Sequence, residues 1–307
     1  MSGLGRSPHS DVVGPPSTLE DWSYDEAFSR HRGLISVEEQ EQLRGKRVAI
    51  VGQGGVGGIH LITLTRLGVG GFHIADPDRF ELSNFNRQYG ANMRTLGRNK
   101  ADIMAEEARA INPELHVRVF EAITPENVGA LLDGVDVLLD GIDFFALETR
   151  RLVFGEARRR GIWAITAGPI GFSAAWIVFS PTGMSFDEYF DMDDTMDRAD
   201  QLIAFVIGLT PGASHLAYMD LTQVDPRSGR GPSVGLACQL CGGVAAAETL
   251  KVLLGRSPIL PAPWYFQFDA YRQRLVKGRL RWGNRSPSQR LKRRLMKKNL
   301  ARLGWKL

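Results

Sequence analysis

The sequence is poor in cysteine, in long apolar runs and, near its end, in acid. Two cysteines occur among 307 residues, Cys238 and Cys241, as a single Cys-x-x-Cys pair within an apolar run. A structural zinc site takes two such pairs or added histidines, so no zinc is expected. Apolar runs such as Val135–Ile142 fall far short of the roughly 20 residues of a membrane span. The start has no basic segment followed by an apolar one, so a cytoplasmic protein with no membrane span is expected. From Arg272 to Leu307 there are 14 Lys and Arg and no Asp or Glu, so residues 1–271 carry 24 basic against 34 acidic groups, a balance of −10. A basic end on an acidic body fits two arrangements: contact with a polyanion such as RNA or an anionic membrane surface, or contact with its own or a neighbour's acidic body.

What is present is an alternation. Residues 1–20 are rich in Gly, Pro and Ser without apolar period and read as a disordered segment. Trp22–Leu43 reads as helical. Short β-branched runs then recur at Arg47–Val51, Gly71–Ala75, His116–Glu121, Val135–Asp140, Trp163–Thr166 and Ala175–Phe179, with helical stretches such as Gly97–Asn112 between most of them. Strands joined by helical crossovers predict a parallel sheet with helices on both faces, and ligands in such sheets sit at the carboxyl ends of the strands. Residues 180–234 are irregular and acidic early on, the character of a cleft or lid. Gly235–Gly255 reads as a buried helix and Trp264–Leu280 as a terminal strand or hairpin.

Gly52, Gly54 and Gly57 fit G-x-G-x-x-G directly after an apolar run and at the opening of a helix. Glycines let the turn tighten and let the backbone approach phosphates, which meet the free N–H groups and the positive end of the helix dipole. Asp76 ends the second strand, where a carboxylate can bind ribose hydroxyls. The following segment, "SNFNRQ", adds Asn84 and Arg87, and "GRNK" adds Lys100. A nicotinamide needs a flat apolar pocket, whereas a triphosphate needs cations and amides beyond the adenosine. Residues of these types point to a triphosphate.

The run "RVAIVGQGGVGG…DPDRFELSNFNRQ…LGRNKAD…INPELHV" resembles the adenylation domain of the ThiF/MoeB/HesA family, the bacterial relatives of ubiquitin-activating enzymes. Similarity continues through "VDVLLDGIDFFALETRR", "GPIGFSAAWIVF" and "QFDAYRQRL". The resemblance implies a Rossmann-like, doubly wound α/β sheet, mostly parallel, with a C-terminal antiparallel extension and one adenylation domain over residues 21–281, followed by a basic tail, 282–307. It also implies a homodimer that uses ATP and Mg2+ to join AMP to a carboxylate, with release of pyrophosphate. Matched by position, Gly52, Gly54, Gly55 and Gly57 would line the phosphate loop, Asp76 would hold the ribose, and Asp78 and Gln88 would add nucleotide contacts. Asn84, Arg87 and Lys100 would clamp the phosphates, Asp143 would hold magnesium, and Arg30 would reach across the dimer to the partner's ATP.

The chain departs from the family pattern in lacking both the two zinc-binding pairs and a cysteine in the loop after the sixth strand, so adenylation is expected without a covalent relay. Asp143 is followed by Phe144 where the family usually has asparagine. The expected carboxylate is the C-terminus of a ubiquitin-like protein or other peptide. Two alternatives stand beside it: an enzyme like the tRNA threonylcarbamoyladenosine dehydratases, against which the acidic stretch Asp187–Asp200 argues, and a nucleotide-binding module without turnover.

Overall fold

The computed structural model describes residues 22–223 and 231–302; the segment expected to be disordered, residues 1–20, lies outside them. One eight-stranded sheet organises the chain, in the order β3-β2-β1-β4-β5-β6-β7-β8. Its first five strands, β1 (Arg47–Val51), β2 (Gly71–Ala75), β3 (His116–Phe120), β4 (Val137–Asp140) and β5 (Trp163–Ile170), are mutually parallel. The last three, β6 (Ser173–Phe179), β7 (Trp264–Asp269) and β8 (Arg274–Arg279), extend it antiparallel. The expected fold class is therefore what the chain adopts.

Successive side chains of a strand point to opposite faces, and the apolar runs use both. Val48 and Ile50 of β1 join one core with Val137 and Leu139 of β4, while Ala49 and Val51 join a second core with Leu138. Among the described residues, ten α-helices surround the sheet: α1 (Tyr24–Ala27), α2 (Val37–Gly45), α3 (Gly57–Arg66), α4 (Lys100–Ile111), α5 (Val128–Leu131), α6 (Leu147–Arg159), α7 (Phe186–Phe190), α8 (Arg198–Leu209), α9 (Gly235–Leu253) and α10 (Pro287–Arg302). Helices α3, α4 and α9 cover the first face, and α5 to α8 the second. Helix α9 is long and apolar enough to cross a membrane by length and composition, a feature the shorter runs did not reveal; half of its window is buried within this fold. Its small residues allow that burial: a Cβ on Gly242 would fall 2.2 Å from Ile59 Cγ2 of α3.

The stretch expected to be irregular, 180–234, holds α7 and the twelve-residue α8. Each starts on a side-chain cap, Ser185 accepting from the Glu188 amide and Asp197 from the Asp200 amide. The basic end lies on this region. Buried Asn284 donates to the carbonyls of Phe190 at 2.9 Å and Ala204 at 2.7 Å, and Gln289 to that of Ile207 at 3.0 Å. Arg293 pairs with Asp191 at 3.3 Å and Lys297 with Asp200. Arg151 of α6 takes Asp187 and Asp194, each at 2.8 Å. The acidic stretch is thus largely answered by cations of the same chain, and its objection to a polyanionic partner loses weight.

Candidate functional site

The switch in strand order lies between β1 and β4, where one crossover leaves toward β2 and the next returns on the other side, and loops diverging there leave a crevice at the carboxyl ends. The loop after β1 is held there by backbone contact. Gly52, at φ +86°, accepts no side chain: a Cβ would lie 2.1 Å from the Gly141 carbonyl oxygen, just past β4. A Cβ on Gly57 would lie 1.7 Å from the Gly52 oxygen. Glycine at these positions is a requirement of close approach. Among the described residues, the backbone N–H groups of Gly54, Gly55, Val56 and Gly57 have no partner, so the start of α3 presents a row of free donors.

Asp76 follows β2 and is buried. Its Oδ2 accepts from the Gln53 amide at 2.6 Å and its Oδ1 from the Asp78 amide at 2.8 Å. Burial raises its pKa above the usual carboxylate value, opposed by the Gln53 amide and then by the charge of Lys100. Lys100 opens α4 and is itself buried, with its Nζ 2.9 Å from Asp78 Oδ2. Asp76, Asp78 and Lys100 are therefore one connected group beside the glycine loop.

Arg87 and Gln88 close the other side. A Cβ on Gly55 would touch Arg87 Cγ at 3.7 Å, and one on Gly54 would touch Gln88 Nε2 at 3.5 Å. Gln88 is buried and its Oε1 has no partner among the described residues, an acceptor left open beside the loop. The Arg87 guanidinium is exposed, donating to Ser83 O at 3.0 Å and Asn86 Oδ1 at 2.9 Å. Asn84 is placed differently from Arg87: it is buried, its Oδ1 accepts from the Glu81 amide at 3.0 Å, and its carbonyl accepts from the Arg87 and Gln88 amides. It builds the turn that carries those two residues. Arg30 is exposed on the turn Ser29–His31 and has no contact with the loop among the described residues.

Asp143 stands in the loop after β4. Its Oδ1 accepts from the Phe145 amide at 2.9 Å, and Oδ2 has no partner among the described residues. What fixes this loop went unnoticed in the sequence. Asp140 and Arg150 are 4% and 2% exposed and meet at 2.8 Å; Thr166 of β5 donates to the same carboxylate oxygen at 2.7 Å. Arg150 Nη2 also donates to the carbonyls of Ile142 at 2.6 Å and Asp143 at 3.2 Å, and the Cζ of Arg150 lies 4.5 Å from the Phe205 ring centroid. One buried arginine thus ties the Asp143 backbone to β4. The signal was legible: an acid closing a buried strand needs a cation, and Arg150 lies one helical stretch on.

Cys238 and Cys241 are fully buried in α9, and burial pushes both thiols up, that of Cys241 well above its ordinary value. That suits packing within the buried helix expected over Gly235–Gly255. Cys238 also floors the loop, its Sγ 2.9 Å from where a Cβ on Gly55 would stand.

The ThiF family pattern matches residues 28–291. The chain belongs to the ThiF family. Among relatives of this ThiF-family chain, the probable adenylyltransferase/sulfurtransferase MoeZ of Mycobacterium tuberculosis is 28% identical over 258 residues, 80% of this chain and 57% of that one. The sulfur carrier protein adenylyltransferase of Thermus thermophilus is 29% identical over 245 residues, 76% and 80% of the two chains. The tRNA threonylcarbamoyladenosine dehydratase of Haemophilus influenzae is 32% identical over 151 residues, 48% and 57%. The chain thus spans little more than half the length of two of these relatives. The fold is shared with crystalline PaaA, at a TM-score of 0.63 and 20% identity over 90% of this chain and 86% of that one, and with Escherichia coli MccB crystallised with ATP, at 0.60 and 19% over 82% and 67%.

Proposed function

We propose that this ThiF-family chain is an ATP-dependent adenylyltransferase that joins AMP to a carboxylate. The observation that carries the reading is the convergence, at the switch point between β1 and β4, of a glycine-rich loop with open N–H donors and the groups of Asp76, Lys100, Arg87, Gln88 and Asp143. Gly52, Gly54, Gly55 and Gly57 let phosphates reach the backbone, Asp76 with Asp78 faces the ribose, and Arg87 and Lys100 offset the phosphate charge. Asn84 supports Arg87 and Gln88 by shaping their turn. The acceptor on Gln88 and the cradle that any Cβ would fill fit a nucleotide.

Magnesium is held by one or two carboxylates together with substrate phosphates, and the free Oδ2 of Asp143 fits that manner of binding. When bound, Mg2+ offsets phosphate charge and steadies the leaving pyrophosphate. In the reaction, a carboxylate oxygen of the substrate attacks the α-phosphorus, the bond from that phosphorus to the bridging oxygen breaks, and pyrophosphate departs. The nucleophile is already ionised at neutral pH, so no general base is needed; the protein aligns two anions and lowers their repulsion.

The carboxylate assigned is the C-terminus of a ubiquitin-like or other small protein or peptide, the kind of partner named for the sulfur carrier protein relative. A carboxylate carried on tRNA is the second reading, favoured by the likeness to the dehydratase and by the neutralised Asp187–Asp200 stretch. A homodimer, with Arg30 serving the partner's nucleotide, belongs to the first reading. The retention of Arg87, Lys100 and Asp143 together speaks against a module without turnover.

Calorimetry with Mg-ATP and NAD, followed by substrate-dependent ATP–pyrophosphate exchange, tests the proposal. Mg-ATP should bind and NAD should not. Arg87→Ala and Asp143→Ala should each lower exchange on the order of 10²-fold or more. Tighter binding of NAD, or unchanged exchange in both variants, would refute it.

A further inference from the structure

The end of the sheet opposite the glycine loop carries an open cleft of about 500 Å³, lined by Arg158, Arg279, Arg281 and Arg285 with Glu188 as the one acid among the described residues of its lining. These arginines come from the last turn of α6, the end of β8 and the turn into α10. Glu188 is committed elsewhere, closing the α7 capping box on the Ser185 amide at 2.7 Å. Arg158 donates to the Gly183 carbonyl at 2.6 Å. Arg285 lies 3.8 Å from Asp191, which Arg293 approaches more closely. Arg279 and Arg281 have no carboxylate partner among the described residues; their guanidinium carbons lie 5.7 Å from the Trp264 ring and 5.9 Å from the Trp282 ring.

In a body with an excess of acid, cations left unpaired around one concave opening are informative. Most nearby acids are already engaged: Asp187, Asp191, Asp194 and Asp200 pair with cations, and Asp193 and Asp197 accept from Thr195 and the Asp200 amide. That weakens self-association through the acidic stretch as the use of the cleft. Guanidinium forks match pairs of phosphate oxygens. Trp282, 59% exposed, offers a ring for base stacking beside them. Exposed Arg290, Arg294 and Lys298 continue the positive track along α10.

We propose that this cleft, with the outer side of α10, binds the phosphodiester backbone of single-stranded nucleic acid, RNA being the form to probe. The site is separate from the nucleotide rim and does not depend on which carboxylate is activated. A lipid surface is the weaker fit, because the arginines line a recess built by three elements, although Leu291 and Leu295 are exposed on α10.

Fluorescence polarisation of a labelled 20-mer oligouridylate against the full chain tests this. Binding should weaken with rising salt. Arg279→Glu with Arg281→Glu should lower affinity at least tenfold and reduce the salt slope by about 1.4, two phosphate contacts at about 0.7 each. Both side chains are exposed and without ion pairs among the described residues, so the thermal midpoint and Mg-ATP binding should be unchanged; those controls separate this idea from the proposed activity. Trp282→Ala should cost about tenfold through lost stacking, and stands as the independent arm should the double variant misfold. The proposal fails if wild-type protein does not bind the probe, if the variants bind it as wild type does, or if binding is found only to phosphatidylserine vesicles.

Discussion

Replacing Gly55 by alanine should destabilise the protein through one atom, the sulfur of Cys238. The backbone at Gly55 is outside the left-handed region, so alanine carries no conformational strain there. Its Cβ would stand 2.9 Å from Sγ, while Arg87 Cγ and Cδ at 3.7 and 3.8 Å are in ordinary contact. Nonbonded atoms of this size prefer about 3.5–4.0 Å, so loop and helix must part by roughly 0.6 Å or more. Overpacking of this kind costs about 1–3 kcal/mol. Cys238→Ala alone removes one buried heavy atom, at about 1 kcal/mol. If the clash is the source, Gly55→Ala made in the Cys238→Ala background should cost close to nothing, a coupling of about 1–3 kcal/mol. Urea unfolding of the four members of the cycle measures it. Additivity within about 0.5 kcal/mol would show that the loop does not rest on the thiol.

Four other outcomes are expected. Changing Cys238 and Cys241 together to serine should leave ATP–pyrophosphate exchange nearly intact, since neither thiol is assigned a chemical step; loss of exchange in a folded variant would overturn that. Arg150→Ala should destabilise by about 3–5 kcal/mol, because it strands the buried Asp140 carboxylate, as read from urea midpoints. His60 is buried with both ring nitrogens unpartnered among the described residues, and burial lowers its pKa to about 4; its contribution is complete above the unfolded value near 6.5 and declines as pH falls toward 4. From pH 7 to pH 5 it should remove about 2 kcal/mol, and His60→Leu should flatten that dependence in paired urea titrations. Light scattering should give twice the 34.0 kDa chain mass; a monomer at micromolar concentration would remove the role of Arg30 in trans.

The parallel half of the sheet was legible because β1, β2 and β4 are buried on both faces and read as largely apolar runs, β2 being interrupted only by His73. The ends were harder to place. Strand β5 runs to Ile170, past the expected Thr166, because the antiparallel ladder with β6 carries Gly168 and Pro169 along as partners of Ala175 and Ala174. The helix expected over Trp22–Leu43 is broken around Gly33, at φ +95°. At the site, the glycines and Asp76 follow from local pattern. The Asp140–Arg150–Thr166 cluster does not, since it joins three elements, and only burial makes its pairing compulsory. The basic end could be read by charge but not as a packed helix, because its anchors, Asn284 and Gln289, are polar side chains that fill carbonyls rather than apolar ones that mark a period.

The meeting of Gly52, Gly57 and Gly141 also bears on the order in which the protein becomes competent during folding. Residues 52 and 57 are close in the chain, but 141 is nearly ninety positions away, beyond β2, β3 and β4 and the helix α4. Contacts of that separation form late, because closing the intervening loop costs entropy before the contact is made. Until β4 pairs with β1, the glycine loop lacks the backbone against which it is shaped. A chain emerging during synthesis would therefore acquire the proposed nucleotide affinity only after Gly141 and the elements that hold it, α6 with Arg150 and β5 with Thr166, have joined the sheet.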